Sequence, residues 1–304
     1  MTSDVSSRDG LTDQDRPAGA GVDGPDAGEE LPTPAARNAV LRWTLQAFSA
    51  VWRPGLLLIL LGVGWWVVTA AEMFPAYLVP TPGDVWATLL EDREMLATHT
   101  WVTTYETVVG FLLAALIGMV AAVLIVYSPT LEKALYPLIL FAQVIPKIAI
   151  APILVVWFGF GPTPKIILAV LIAFFPVVVS GVAGLRSTDP ALLDLSSTMG
   201  ASRWQTFRKI RFPGALPHLL SGLKVAVTLA VVGAVVGEFV GADEGLGYVL
   251  LLASGNLNSS LLFADLILMS ALGVALFVLV EAAEALLIPW HASRRQAIPM
   301  TTTS

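Results

Sequence analysis

The sequence predicts an all-α membrane protein with about six transmembrane helices. Three observations lead there. Apolar residues make up 56% of the 304 positions and charged residues only 13%, whereas a soluble domain carries about a quarter charged. Six stretches are apolar over the roughly 20 residues that a helix needs to cross a hydrocarbon core. Those stretches are continuous rather than alternating, which selects helices over a β-barrel.

In chain order, residues 1–36 are rich in Asp, Gly, Ala, Pro and Ser and have no apolar core. Such a segment buries too little surface to offset the cost of ordering it, so a disordered tail is expected. It also lacks the apolar run of a secretory signal. A transmembrane domain is expected over 37–293 and a second tail over 294–304. The spans fall at about 54–73, 103–127, 134–158, 164–186, 218–240 and 263–288. The first, GLLLILLGVGWWVVTAA, carries tryptophans suited to a membrane interface. Gln143, Pro146 and Lys147 interrupt the third, and Pro152 follows; proline removes a backbone bond and kinks a helix. The fifth carries Gly233, Gly237 and Gly241 at every fourth position, a spacing that permits close helix packing. Glu238 lies near its far end. Glu281 and Glu284 lie near the end of the sixth, where capping or interfacial pairing is expected.

The net charge of -6 is unevenly spread. Lys133, Arg186, Arg203, Arg208, Lys209, Arg211 and Lys224 fall on the side of both termini. Only Arg93 and Lys165 fall on the other, beside Glu72, Asp84, Glu91, Asp92, Glu94, Asp243 and Glu244. The positive-inside rule places the first group, and both termini, in the cytoplasm. Lys147 is read as the one charge well inside a span. Polar groups at membrane depth are functional candidates, so Gln143, Lys147 and Glu238 are candidates for a solute pathway, and a cation there suits an anionic solute. The alternatives are that Lys147 snorkels to the interface and that Glu238 sits at the outer surface or pairs with a cation. The glycine-punctuated GADEGLGYVL that follows the fifth span is expected to form an outer loop.

Several chemistries have no support. There is no cysteine, and His99, His218 and His291 are far apart, so neither a thiolate nor a histidine metal site is expected. No triad or carboxylate dyad marks a catalytic centre; no catalytic residue, metal, cofactor or nucleic-acid partner is expected. No phosphate-binding loop of the form G-x-x-x-x-G-K-[ST] occurs, so ATP hydrolysis is not expected of this chain.

The longest cytoplasmic connection, 187–217, is the most informative. Asp189-Pro190 is a helix start, with proline at the first helical position. Leu192, Leu195 and Met199 follow at helical spacing, and Gly200 ends this short helix. A second helix is expected to begin at Ser202, to present Trp204, Phe207 and Ile210 on one face, and to stop near Pro213. By charge alone the loop is a topology anchor, or a surface that meets anionic lipid.

This loop resembles that of binding-protein-dependent ABC importer permeases. Their pattern is Glu-Ala-Ala, three residues, Gly, nine residues, Ile, one residue, Leu-Pro. Here Asp194-Leu195-Ser196 is followed by three residues, Gly200, nine residues, Ile210, Arg211 and Phe212-Pro213. The spacing matches throughout, while Asp, Leu, Ser and Phe replace the family's Glu, Ala, Ala and Leu. PKIAIAPILVVWFGFGPTPKI, the run from Phe174 to Ile210, and GEFVGADEGLGYVL are similar to the nitrate, sulfonate and taurine-type subfamily, and LLIPWHAS to its thiamine-precursor and riboflavin branch. The resemblance covers roughly 55–290. It implies a type I ABC importer permease fold, a second permease copy, a separate ATP-binding subunit and an extracytoplasmic substrate-binding protein. It makes Asp194, Leu195, Ser196, Gly200, Ala201, Ser202, Trp204, Phe207, Ile210, Phe212 and Pro213 the loop that couples to the ATPase. The competing class is a stand-alone secondary transporter or channel. That class should show more ionisable residues at mid-span, because coupling ions need ligands.

Overall fold

The computed structural model describes residues 55–75 and 77–288. The tails expected at 1–36 and 294–304 lie outside the described residues, as do Arg37, Arg42, Arg53 and His291. The chain divides into two compact units between Leu61 and Gly62. Of the first, only 55–61 is described, the opening turns of α1 (Gly55–Ala70); the second builds the helical bundle.

Every regular element among the described residues is helical. After α1, Trp65 fastens the connection to the next helix: its indole N–H donates to the Pro80 carbonyl at 3.0 Å, and its ring stacks on Phe263 with centroids 5.7 Å apart. The short α2 (Pro82–Glu91) starts at a capping box, in which Thr81 and Asp84 satisfy each other's backbone N–H. The long α3 (Arg93–Tyr127) follows. Next come α4 (Pro129–Val144) and α5 (Ala151–Phe158), joined through a 3₁₀ turn at Lys147–Ile150. Then come α6 (Pro162–Arg186), α7 (Pro190–Thr198), α8 (Arg203–Thr206) and a π-turn at Phe207–Arg211. The chain ends with α9 (Phe212–Phe239), α10 (Leu246–Gly255) and α11 (Ser259–Leu287).

Among the described residues, four helices are long and apolar enough to cross a membrane: α3, α6, the continuous Arg203–Phe239 and α11. The pair α4–α5 makes a fifth, broken span, bent by 85°. With the shorter apolar α1, these correspond to the six expected stretches, with three corrections. Span two begins earlier, at Arg93. Span three is broken rather than kinked. Ile145 is extended (φ -64°, ψ 127°), the conformation forced on a residue before proline, and Pro146 and Pro152 each lack an N–H to continue the ladder. The second loop helix does not stop near Pro213; it runs through Pro213 and Pro217 into span five as one helix of 37 residues. The π-turn just before Pro213 widens the ladder where the proline ring would otherwise clash.

Small residues place α6 at the centre of the bundle. Along α3, Gly110, Gly118 and Ala122 meet Ala169, Val177 and Gly181 of α6, so the two helices run the same way. Along α9, Gly237, Gly233, Gly222 and Ala215 meet Lys165, Ala169, Ser180 and Gly184, so α9 runs antiparallel. A Cβ on Gly233 would sit 2.6 Å from the Ala169 Cα. In lipid no hydrophobic force drives apolar helices together, and such backbone approach supplies the packing energy instead. One end of the bundle is basic, with Arg186 and the 203–211 cations, and the other is acidic, with Asp243 and Glu244.

Candidate functional site

At the basic end, α7 and α8 form a helical hairpin. Asp189 caps α7 by accepting the Ala191 N–H at 2.9 Å. At the other end Gly200 takes φ +74°, while its N–H and that of Ala201 donate to the Ser197 and Ser196 carbonyls. This is the crossed bonding of a Schellman cap, which favours glycine at that position. Ser202 and Gln205 then form a capping box that starts α8. The Ser196 and Thr206 hydroxyls, 3.3 Å apart, tie the two helices together.

The hairpin's apolar side chains do not turn into the bundle. Leu192, Leu195, Met199 and Trp204 are 50%, 56%, 78% and 66% exposed. Leu192, Leu195, Met199, Gly200, Ala201 and Ile210 border a cavity of about 460 Å³ together with Ser196, Gln205, Thr206 and Lys209. Aromatic contacts root the hairpin. Phe207 packs between Trp204 (5.6 Å), Tyr127 at the end of α3 (5.8 Å) and Phe212 (5.8 Å). The Arg211 guanidinium lies 5.4 Å over the Tyr127 ring. Asp194 stands on α7 and Pro213 in the first turn of α9. The structure therefore places the sequence-predicted loop residues from Asp194 to Trp204 in one compact hairpin, and Phe207, Ile210, Phe212 and Pro213 in the π-turn and the first turn of α9 that follow it.

The break between α4 and α5 holds Gln143 and Lys147. Both border a cavity of about 330 Å³ that is otherwise apolar, walled by Leu138, Ile139, Ala142, Ile145 and Ile150 on one side and Leu171, Phe174 and Phe175 of α6 on the other. The Lys147 ammonium donates to the Gln143 carbonyl at 3.5 Å, across the gap that the prolines open.

Glu238 lies elsewhere, within a buried polar cluster at the acidic end. Glu106, Glu238 and Asp265 are fully buried and Lys165 is 4% exposed. Lys165 pairs with Glu106 at 2.9 Å and also donates to the Glu244 carbonyl at 3.4 Å. Glu238 accepts from the Thr103 hydroxyl at 2.7 Å and from the Gly247 N–H at 2.6 Å. Asp265 accepts no hydrogen bond among the described residues. Lys147 is thus not the one interior charge: Glu106 on α3 and Asp265 on α11 lie within predicted spans, and Lys165 is drawn inside by Glu106. Gly233 and Gly237 face α6, while Gly241 (φ +151°) turns the chain beside Phe160. At the basic end, Glu284 pairs with Lys224. A further cavity, of about 860 Å³, lies between α6, α9 and α11 and is lined by Ser180, His218, Ser221, Lys224, Glu281 and Glu284 among others.

The pattern of a family described as "Binding-protein-dependent transport system inner membrane component" matches residues 114–290. A probable ABC transporter permease protein of Haemophilus influenzae is 40% identical over 71% of this chain and 89% of its own. The formylaminopyrimidine transport permease protein ThiX of Halalkalibacterium halodurans is 37% identical over 74% of this chain and 91% of its own. Among solved structures, an inward-facing MetNI methionine ABC transporter superposes with a TM-score of 0.57 at 22% identity, over 68% of this chain and 98% of that one. At that identity the superposition speaks for the fold.

Proposed function

Because the chain belongs to the family of binding-protein-dependent transport system inner membrane components, we propose that two copies of it form the pathway of an ATP-driven importer. A separate ATP-binding subunit docks on the α7–α8 hairpin, and an extracytoplasmic binding protein delivers the solute to the acidic end. On this reading the hairpin and both termini are cytoplasmic. One observation carries it: a short, well-capped hairpin at the basic end leaves Leu192, Leu195, Met199 and Trp204 exposed. An apolar knob with a basic rim, outside the bundle, is a docking surface.

ATP-driven closure of the ATPase subunits would move the hairpin. The helix from Arg203 to Phe239 has no break, so it carries that movement into the membrane. Gly200→Val tests the docking. A β-branched residue is strained at φ +74°, by about 1–2 kcal/mol. Uptake and co-purification of the ATPase are expected to fall together while membrane insertion persists. Normal uptake and co-purification would overturn the reading.

We place the solute passage at the α4–α5 break, where irregular backbone at membrane depth must face water or protein, with Gln143 and Lys147 on its wall. A small vitamin precursor of the formylaminopyrimidine kind leads the substrate classes, supported by the likeness to ThiX. A sulfonate, taurine or nitrate-type anion is the second, supported by the Lys147 ammonium. Competition by each class against uptake of the other decides between them.

The buried charges favour one further reading, a stand-alone secondary transporter, since ionisable groups at membrane depth are its mark. Those groups are enclosed: Glu106 is paired with Lys165, and Lys165 and Glu238 are bonded to the Glu244 carbonyl and the Gly247 N–H, which supports the importer. Uptake by vesicles that contain this chain without an ATPase would reverse the choice.

A further inference from the structure

The loop from Glu244 to Gly247 is bound in an unusual way. Its four successive backbone groups are each satisfied by a side chain of another helix. The Glu244 carbonyl accepts from Lys165 of α6. The Gly245 N–H donates to His99 Nδ1 of α3 at 3.0 Å, and the Leu246 N–H to Thr103 Oγ1 of α3 at 2.8 Å. The Gly247 N–H donates to Glu238 of α9. Gly245 to Gly247 are the N-cap and first two residues of α10, whose N–H groups have no partner within their own helix. A helix usually caps itself with its own Ser, Thr, Asp or Asn. Here the caps come from α3 and α9, and one is a carboxylate, the charge that a helix N-terminus favours. The fit leaves no space for side chains: a Cβ on Gly247 would lie 2.7 Å from the Val235 carbonyl oxygen and 2.8 Å from the Glu238 carboxylate. Thr103 is the node. Its hydroxyl receives the loop and in the same place donates to Glu238 at 2.7 Å.

We propose that His99, Thr103 and Glu238 form a capping cradle that makes the acidic loop and α10 a rigid extension of α3 and α9, so that docking of the binding protein on the loop is felt directly by those helices. These are positioning residues; none needs to touch the solute. The inference rests on the reading of the chain as the permease of a binding-protein-dependent importer.

The test compares Thr103→Val, which keeps the shape and deletes the hydroxyl, with Thr103→Ser, which keeps the hydroxyl. In lipid nanodiscs of the full chain, hydrogen exchange of the 243–250 segment is expected to rise about tenfold in T103V, the scale of a lost hydrogen bond, and to stay near wild type in T103S. In proteoliposomes with the partner ATPase, the ratio of binding-protein-stimulated to basal hydrolysis is expected to fall at least about threefold in T103V and to recover in T103S, with basal hydrolysis unchanged. Unaltered exchange in T103V overturns the cradle. Altered exchange with an unaltered ratio overturns its part in docking. A wild-type complex that the binding protein does not stimulate overturns the importer reading and the docking claim with it, while exchange still judges the cradle. If T103V fails to fold, G247A serves the same comparison, since its Cβ presses on the Glu238 carboxylate.

Discussion

Lys165 and Glu106 form an ion pair buried on both sides, with side chains 5% and 1% exposed. Removing one partner of such a pair strands the other charge, so Lys165→Met is expected to destabilise the protein by about 3–5 kcal/mol. Lys165→Met combined with Glu106→Leu should cost clearly less. Thermal unfolding in detergent of the double variant and both single variants measures the coupling; a double loss equal to the sum of the single losses would show that the two residues are not coupled. Glycines divide in the same way. Gly233→Ala drives a Cβ into the Ala169 backbone and is expected to cost about 1–3 kcal/mol. Gly273→Ala meets nothing within 4 Å and should leave the melting temperature unchanged or higher. Very little of this cluster is legible in the sequence. Glu106 and Asp265 sit singly among apolar neighbours, so a span-length average absorbs them. Lys165 reads as a loop cation because its partner is on another helix. The pattern of Gly233 and Gly237 is visible, but not that they face α6.

Local chemistry is what a sequence writes most plainly at the scale of the element. Asp189 and Ser202 at helix starts and Gly200 at a helix end act through bonds within a few residues, and the structure has them where the sequence puts them. The run through Pro213 is different, because it depends on a π-turn that no propensity announces. That turn is the one softened point between the hairpin and span five. Replacing Arg208 and Lys209 together by glycine weakens the helix there by about 1 kcal/mol per residue. Uptake is expected to fall severalfold further than in the double alanine variant Arg208→Ala, Lys209→Ala, which removes the same charges but keeps the helix stiff. Uptake equal to that of the alanine variant would show that the rigidity of this stretch is irrelevant. At the other break, Pro146 and Pro152 foretell an interruption, but not its 85° angle.

For the whole molecule, the apolar runs and the basic loop suffice to give the class of fold, and the loop spacing gives the family. The pairing of helices is beyond such patterns. The absence of cysteine makes the passage directly testable. Lys147→Cys is expected to react with a water-soluble maleimide, and cysteine at Leu168, fully buried between helices, is not. Failure of position 147 to label in the resting and ATP-bound states would remove the break from the pathway.

The helix that begins at Arg203, beside the exposed Trp204, ends at Phe239, next to Glu238 under the acidic loop. At 1.5 Å per residue it is about 55 Å long, more than the thickness of a bilayer with its headgroups. On the proposed importer reading one continuous helix has an end in each compartment, and linkage makes its traffic reciprocal. Whatever factor the docked binding protein applies to the nucleotide-bound state inside, the nucleotide must return to the binding protein's affinity outside. Titrating the binding protein against the transporter with and without a non-hydrolysable nucleotide should give two dissociation constants. Their ratio should equal the shift in nucleotide affinity that saturating binding protein produces.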